Sequence, residues 1–309
     1  MRAVPATLAT DDGLSLHLRE WPSRAAGAHG TVLLVHGLGE HCGRYAHVAA
    51  RLNDQGWHVV GYDHRGHGRS EGARGVIARD DALLADLARV IDAVRASRDG
   101  PLVLLGHSMG GLVAARFVAE GVPDALPSAA ASSATSSPAA WHREVDALVL
   151  SSPALDAGMG AAQKLLLAVL GPLAPNLAVG NGLSPSWVSR DPAEVAAYVA
   201  DPLVHDRIAP RLVRFIVDGG EFVRTRASRW SVPTLLMWAG ADRCVAPAGS
   251  AAFAAAAPPD RVRSRCFDGL YHELFNEPAP DREQVLAELE RWLDRWRAER
   301  PSHPRSPAP

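Results

Sequence analysis

Six short strand-like runs recur along the chain, at 31–36, 58–62, 102–106, 147–151, 234–239 and 262–267, and most of them are continuously apolar. Several are separated by stretches long enough for a helix. An apolar run without polar alternation is a strand buried on both faces, and such strands joined through helices are parallel. The pattern predicts an α/β fold, a mostly parallel sheet with helices on both faces. An alternating segment at 14–20 predicts an antiparallel hairpin with 6–10. Helical periodicity marks 45–55, 80–97, 112–120 and 281–297. In the last of these, Val285, Leu289, Trp292 and Trp296 recur at three- and four-residue steps, which predicts the face that packs on the sheet.

Two segments interrupt this rhythm. Residues 127–138 are Ser- and Ala-rich between two prolines and read as a surface loop. Residues 153–230 lie between two core runs and are too long for a loop. They predict a helical cap inserted over the carboxyl edge of the sheet. The expected organisation is a core of 1–152 and 231–300, a cap of 153–230, and a disordered proline-bearing tail of 301–309. Within the cap, 161–170 reads as a short apolar helix stopped by Gly171 and Pro172. It either packs inward or presents leucines to a lipid surface.

Charge and cysteine usage narrow the classes. The formal net charge is −2, and the arginines are scattered. No nucleic-acid partner is expected. Cys42, Cys244 and Cys266 share no C-x-x-C spacing, so neither a disulfide framework nor a zinc site is expected, and a reducing cytosol suits them. The N-terminus lacks a signal-peptide pattern, and no apolar run is long enough to span a bilayer. A cytoplasmic protein is expected, with peripheral membrane or micelle contact through the cap.

Gly106-His107-Ser108-Met109-Gly110 fits G-x-S-x-G, after a strand run and before a helical pattern. Such a turn is so tight that its flanks need glycine, and it exposes the serine at its tip beside a helix N-terminus. A serine hydroxyl needs a base to become a nucleophile, and in this arrangement the order is Ser, acid, His. Asp242 follows the run at 234–239 and His272 follows the run at 262–267, so one β-α-β step separates them. Other histidines fit less well. His107 adjoins the serine but should point away from it, His64 and His67 precede it, and His205 sits in the cap. Among the acids, Asp218 lies in the cap and Asp268 lies too near His272 along the chain. The backbone N–H groups of Met109 and Leu38 are the candidates for an oxyanion hole. His36 reads as a buried brace for the Leu38 loop.

Three motifs together resemble the monoacylglycerol lipase and lysophospholipase-like group of α/β-hydrolases, with the serine aminopeptidase S33-type domain. They are His-Gly-Leu-Gly-Glu-His-Cys-Gly-Arg-Tyr at 36–45, Asp-His-Arg-Gly-His-Gly-Arg-Ser-Glu-Gly at 63–72, and Gly-His-Ser-Met-Gly-Gly at 106–111. Asp201-Pro202-Leu203, Ala241-Asp242-Arg243 and Tyr271-His272 also fit. The resemblance runs from about Gly13 to Trp296. The loop at 127–138 and the proline tail depart from it. The resemblance implies an α/β-hydrolase fold in which Glu40 and Arg44 help shape the oxyanion loop and the polar end of the pocket, where a glycerol could lie, with His107 as a further lining candidate. Equally open is a surface salt bridge for Glu40 and Arg44. Residues 63–72 read as a brace for the sheet edge.

The expected function is hydrolysis of a lipid ester, a monoacylglycerol or lysophospholipid, through an acyl-enzyme on Ser108 with Asp242 and His272. No metal and no organic cofactor is implied. An aminopeptidase or small-ester esterase stays open, because Asp191, Glu194, Asp201, Asp206, Asp218 and Glu221 in the cap could hold a substrate amine. A catalytically silent binding module is the rival from another class, and the Ser, Asp and His together argue against it.

Overall fold

The carboxyl ends of the parallel strands meet along one edge, and the registers show why. In the computed structural model, which describes residues 3–23, 25, 27–122 and 139–300, the strands are β1 (Thr7–Ala9), β2 (Ser15–Trp21), β3 (Thr31–Val35), β4 (His58–Tyr62), β5 (Leu102–His107), β6 (Ala147–Ser151), β7 (Val179–Gly180), β8 (Arg207–Ile208), β9 (Thr234–Ala239) and β10 (Val262–Phe267). Eight of them form one sheet in the order β1-β2-β4-β3-β5-β6-β9-β10. The pairs β1–β2 and β2–β4 are antiparallel and the others parallel. Val35 sits opposite Gly106, His107 opposite Ser151, and Ala239 opposite Phe267. The residues that follow β3, β5, β6, β9 and β10 therefore emerge side by side. This is the α/β-hydrolase fold.

The helices are α1 (Ala46–Asp54), α2 (Ala82–Ser97), α3 (Ser108–Ala119), α4 (Ala161–Leu170), α5 (Pro192–Ala200), α6 (Pro210–Arg226), α7 (Pro247–Ala256) and α8 (Asp281–Glu299). Every residue of β3, β4, β5 and β6 is buried. Alternate residues serve opposite layers, as the pleat requires. Leu33, Val35, Leu104, Leu148 and Leu150 pack with α2, α3 and α6, while Val32, Leu34, Val103, Leu105 and Val149 pack with α1 and α8. Truncating one of these, as in Leu104→Ala, should cost about 2–5 kcal/mol. Val285, Leu289, Trp292 and Trp296 are all buried on one face of α8, and the two indoles stack at 6.1 Å.

The helix α3 begins at Ser108, four residues before its periodic pattern starts, because Gly110 and Gly111 carry no apolar signal. The Ala-rich α7 has Phe253 as its sole large apolar side chain and shows no period. Among the described residues, 152–233 hold α4, α5, α6 and the two-stranded ribbon β7–β8. No described helix is long and apolar enough to cross a membrane. The Ser/Ala-rich loop at 127–138 and the tail at 301–309 lie outside the described residues.

Candidate active site

Ser108 is held at φ +53, a left-handed conformation that a side chain rarely adopts. The turn tolerates this only because its flanks are bare. A Cβ on Gly110 would lie 2.1 Å from the Val35 carbonyl oxygen, and one on Gly106 would lie 2.6 Å from that of Gly110. The serine is thereby fixed at the start of α3, against β3 and its following loop. Met109 is in the first turn of α3, where backbone N–H groups have no intrahelical partner. Across the cleft, Gly37 packs so close that a Cβ there would come within 3.1 Å of the Ser108 Cβ, and Leu38 lines the same cleft.

The loop after β10 brings His272 to Ser108, with Nε2 2.8 Å from the serine Oγ. Its Nδ1 lies 2.7 Å from Asp242 Oδ2 in the loop after β9. The other Asp242 oxygen accepts the backbone N–H groups of Cys244 at 2.8 Å and Val245 at 3.1 Å. With Nδ1–H donated to the carboxylate, Nε2 is the free acceptor for the serine proton. Burial alone would push the His272 imidazole down. The Asp242 carboxylate, by charge and hydrogen bond, and then Glu273 and Glu40 outweigh it and raise the group above its ordinary value. Burial works against the Asp242 charge too, but His272 and the two backbone donors hold its carboxyl below the usual range.

His107 does turn from the serine hydroxyl. Its Nδ1 sits 3.0 Å from the Ser151 carbonyl, yet its ring lies 4.8 Å from that of His272 and lines the cleft. Burial and the neighbouring His272 push it down to about 4. His36 accepts the His64 N–H on Nε2 at 2.9 Å and donates from Nδ1 to the Gly37 carbonyl at 2.7 Å, which braces the loop. His64 and His67 join it in a buried ring cluster, and the half-buried His205 ring packs on His67 at 4.6 Å. In the 63–72 loop, Asp63 accepts from the Cys42 and Arg69 N–H groups, and Arg65 makes a fork to Asp86.

The open alternative of a surface salt bridge for Glu40 and Arg44 is corrected by their burial. Glu40 accepts the Gly37 N–H at 2.6 Å, the Tyr45 hydroxyl at 2.7 Å and Arg44 Nη1 at 2.9 Å. Burial opposes its charge, but Arg44 and the other partners hold its carboxyl at about 2. Arg44 has a second partner that the sequence does not reveal, Glu273, which takes both guanidinium nitrogens at 2.6 and 2.8 Å. Nothing in the sequence joins residues so far apart, and a Glu next to His272 is the sole signal.

Two cavities meet at Ser108. One, of about 330 Å³, carries polar groups from Glu40, His107, Asp206 and Glu273. The other, of about 1000 Å³, is lined by Met159, Leu167, Leu173, Leu177, Val213 and Ile216 among others. Leu38, Ser108, Asn181, Leu183 and Cys244 border both. The ligating atoms of Asp242, Cys244 and His272 lie within 4.8 Å of one another. They suit a metal poorly, since both imidazole nitrogens are engaged. Burial and the Asp242 charge also push the Cys244 thiol well up.

A family model described as serine aminopeptidase, S33, matches residues 26–279. The chain belongs to this family. It is similar to a monoacylglycerol lipase of Mycolicibacterium smegmatis, 36% identical over 85% of this chain and 88% of that one. It is also similar to a monoglyceride lipase of Rattus norvegicus, 30% identical over 93% and 89%. Among solved structures, the monoacylglycerol lipase of Paleococcus ferrophilus matches with a TM-score of 0.76 and 32% identity, covering 91% of this chain and 99% of that one. As a family member the chain departs from a bare hydrolase core in the 152–233 segment. That segment contributes Leu183, Val188, Tyr198 and His205 to the polar cavity, and none of these stands out in the sequence as a pocket residue.

Proposed function

We propose that this chain hydrolyses carboxylic esters of single-chain lipids, monoacylglycerols or lysophospholipids. The observation that carries the reading is the position of Ser108 between a small polar cavity and a large apolar one. An ester straddling the serine puts its acyl chain in the apolar cavity and its alcohol in the polar one, and each half then meets matching chemistry. The lipases to which the chain is similar support the same substrate class.

In this reading Ser108 Oγ attacks the ester carbonyl while His272 Nε2 takes its proton. Asp242 holds the imidazole and stabilises its charge. The Leu38 and Met109 N–H groups receive the oxyanion. Collapse of the intermediate breaks the bond to the alcohol, and His272 returns the proton to that oxygen. Water then repeats the sequence on the acyl-enzyme and releases the fatty acid. Residues 153–230 act as a cap on a core of 1–152 and 231–300. Leu165, Val169, Leu173 and Leu177 of that cap are exposed, and the last two also border the apolar cavity. A lipid surface is the partner that such leucines fit, and it would deliver the acyl chain directly into the cavity.

The test is a hydrolysis panel of long-chain monoacylglycerol, lysophospholipid, diacylglycerol and aminoacyl amide, run on the unaltered chain and on Ser108→Ala. The expected result is preference for the single-chain esters. Ser108→Ala should lower turnover by up to about a millionfold and abolish labelling by a fluorophosphonate. Preference for the aminoacyl amide would transfer the chain to the peptidases, and stoichiometric labelling of Ser108→Ala would remove the nucleophile assignment.

A further inference from the structure

One buried cation connects the two loops that the reaction depends on. Arg44 Nη1 donates to Glu40 and to Glu273, and Nη2 donates to the second Glu273 oxygen. The three side chains are only 9%, 4% and 7% exposed. Glu40 also holds the Gly37 N–H, so it fixes the His36–Gly37 peptide, one before the peptide that carries the Leu38 N–H. Glu273 directly follows His272. Its side chain also accepts from Asn276 Nδ2 at 2.8 Å, its carbonyl accepts the Asn276 N–H at 2.8 Å, and its backbone N–H donates to the Val188 carbonyl of the 152–233 segment at 2.8 Å. The Tyr198 ring covers the guanidinium at 4.8 Å. An exposed ion pair is worth little, whereas a buried pair this well bonded holds its geometry firmly. Its value here is geometric, because the planar fork of arginine fixes both carboxylates at once.

We propose that Glu273 and Arg44 are positioning residues: with Glu40 they form a carboxylate–guanidinium–carboxylate strut that fixes the Leu38 loop against the loop carrying His272. The proposal rests on Leu38 as oxyanion donor and His272 as base. Arg44 spends its donors on the two glutamates and does not line the polar cavity, so it clamps rather than touches substrate. A misplacement of about 1 Å between base and oxyanion donors is enough to cost roughly a hundredfold in rate. The strut has a second consequence. Two carboxylates on one guanidinium leave a net negative charge near the base. The groups facing His272 are Asp242 and Cys244 from the loop after β9, His107 and Ser108 from β5 and α3, Glu40 from the loop after β3, and Glu273 from its own loop. The excess charge favours the imidazolium that forms as the serine attacks.

Glu273→Gln and Arg44→Lys separate the two effects. Each variant is assayed on the glyceryl and methyl esters of one fatty acid, across pH, with melting followed in parallel. Glu273→Gln keeps the shape and removes a charge. It should lower kcat by about ten- to a hundredfold, equally on both esters, with KM little changed. The acidic side of its kcat/KM profile should move down by roughly 0.5–1 pH unit. Arg44→Lys keeps the charge but loses the fork, so kcat should fall on both esters with the profile unmoved. Loss confined to the glyceryl ester would make these residues substrate contacts and overturn the proposal. So would unchanged kcat, or an unmoved profile in Glu273→Gln, measured at a temperature where the parallel melting shows both variants folded. Fluorophosphonate labelling of the unaltered chain tests Ser108 and His272 separately, so failure of that reading is distinguishable from failure of the strut.

Discussion

His205 donates its backbone N–H to the Gly39 carbonyl at 2.8 Å, and its own carbonyl oxygen lies where a Cβ on Gly39 would fall, 2.2 Å away. The 152–233 segment thus rests on the loop that carries Leu38 through a contact that admits only glycine. Gly39 also has φ +77, which an alanine adopts only under strain. Gly39→Ala should destabilise the protein by about 1–3 kcal/mol and lower kcat, because the loop that presents Leu38 must shift. Chemical denaturation and turnover on a short ester check this together. Unchanged values in both would mean that the contact is slack.

The groups around His272 set the pH dependence expected of it as the proposed base. His272 must be neutral to accept the serine proton, and its surroundings raise it above the ordinary 6.5. The kcat/KM of the free enzyme should therefore rise with pH and reach half its maximum above 6.5. Asp242→Asn keeps an oxygen for the Cys244 and Val245 N–H groups, so the fold should survive. The amide NH₂ cannot accept Nδ1–H, which turns the imidazole to the wrong tautomer. Turnover should fall by about four orders of magnitude, as in the serine protease case, and the acidic side of the profile should move down. Near-normal activity in Asp242→Asn would assign the role to another acid.

Much of this arrangement is legible in the sequence. Ser108, Asp242 and His272 each follow a strand run, and parallel strands deliver their carboxyl ends to one edge, so their meeting is a consequence of topology. The Leu38 loop follows from β3 for the same reason. Glu273 is different. Its partner Arg44 is 229 residues away, and only the closed fold makes the pair. The division into two cavities is equally hidden, because Asn181, Leu183, Val188 and Tyr198 come from a segment without periodic pattern. The helix at Ala161–Leu170 is readable from its stop signals. Which way it faces is not, and the alternatives of inward and outward packing both hold: Leu167 lines the apolar cavity, while Leu165 and Val169 face out.

Cys244 borders both cavities two residues after Asp242, so a bulky adduct there should block the ester from Ser108. The reactive form is the thiolate, and burial with the Asp242 charge disfavours it. Inhibition by a maleimide should therefore be slow at neutral pH, faster in alkaline buffer, and retarded by substrate. Cys244→Ser should remain active and become resistant. Cys42 does not compete, being only 1% exposed. Persistent inhibition of Cys244→Ser, followed after timed pre-incubation, would place the sensitive thiol elsewhere.

Leu165 and Val169 lie one turn apart on α4, 66% and 57% exposed, and neither borders the apolar cavity. Solvent offers such side chains nothing, and a leucine taken fully out of water gains about 1.5–3 kcal/mol. If the proposed cap leans on lipid, this pair is its contact. Replacing both by serine removes surface side chains only, so stability should stay within about 0.5 kcal/mol. Activity on a short soluble ester should also hold, because the cavities are untouched. Activity on micellar long-chain monoacylglycerol should fall about tenfold or more, since even partial loss of two insertions is worth over about 1.4 kcal/mol. Sedimentation with vesicles should weaken in parallel. Equal activity on micelles and soluble ester would end the membrane-contact reading and leave α4 as a wall of the acyl cavity alone.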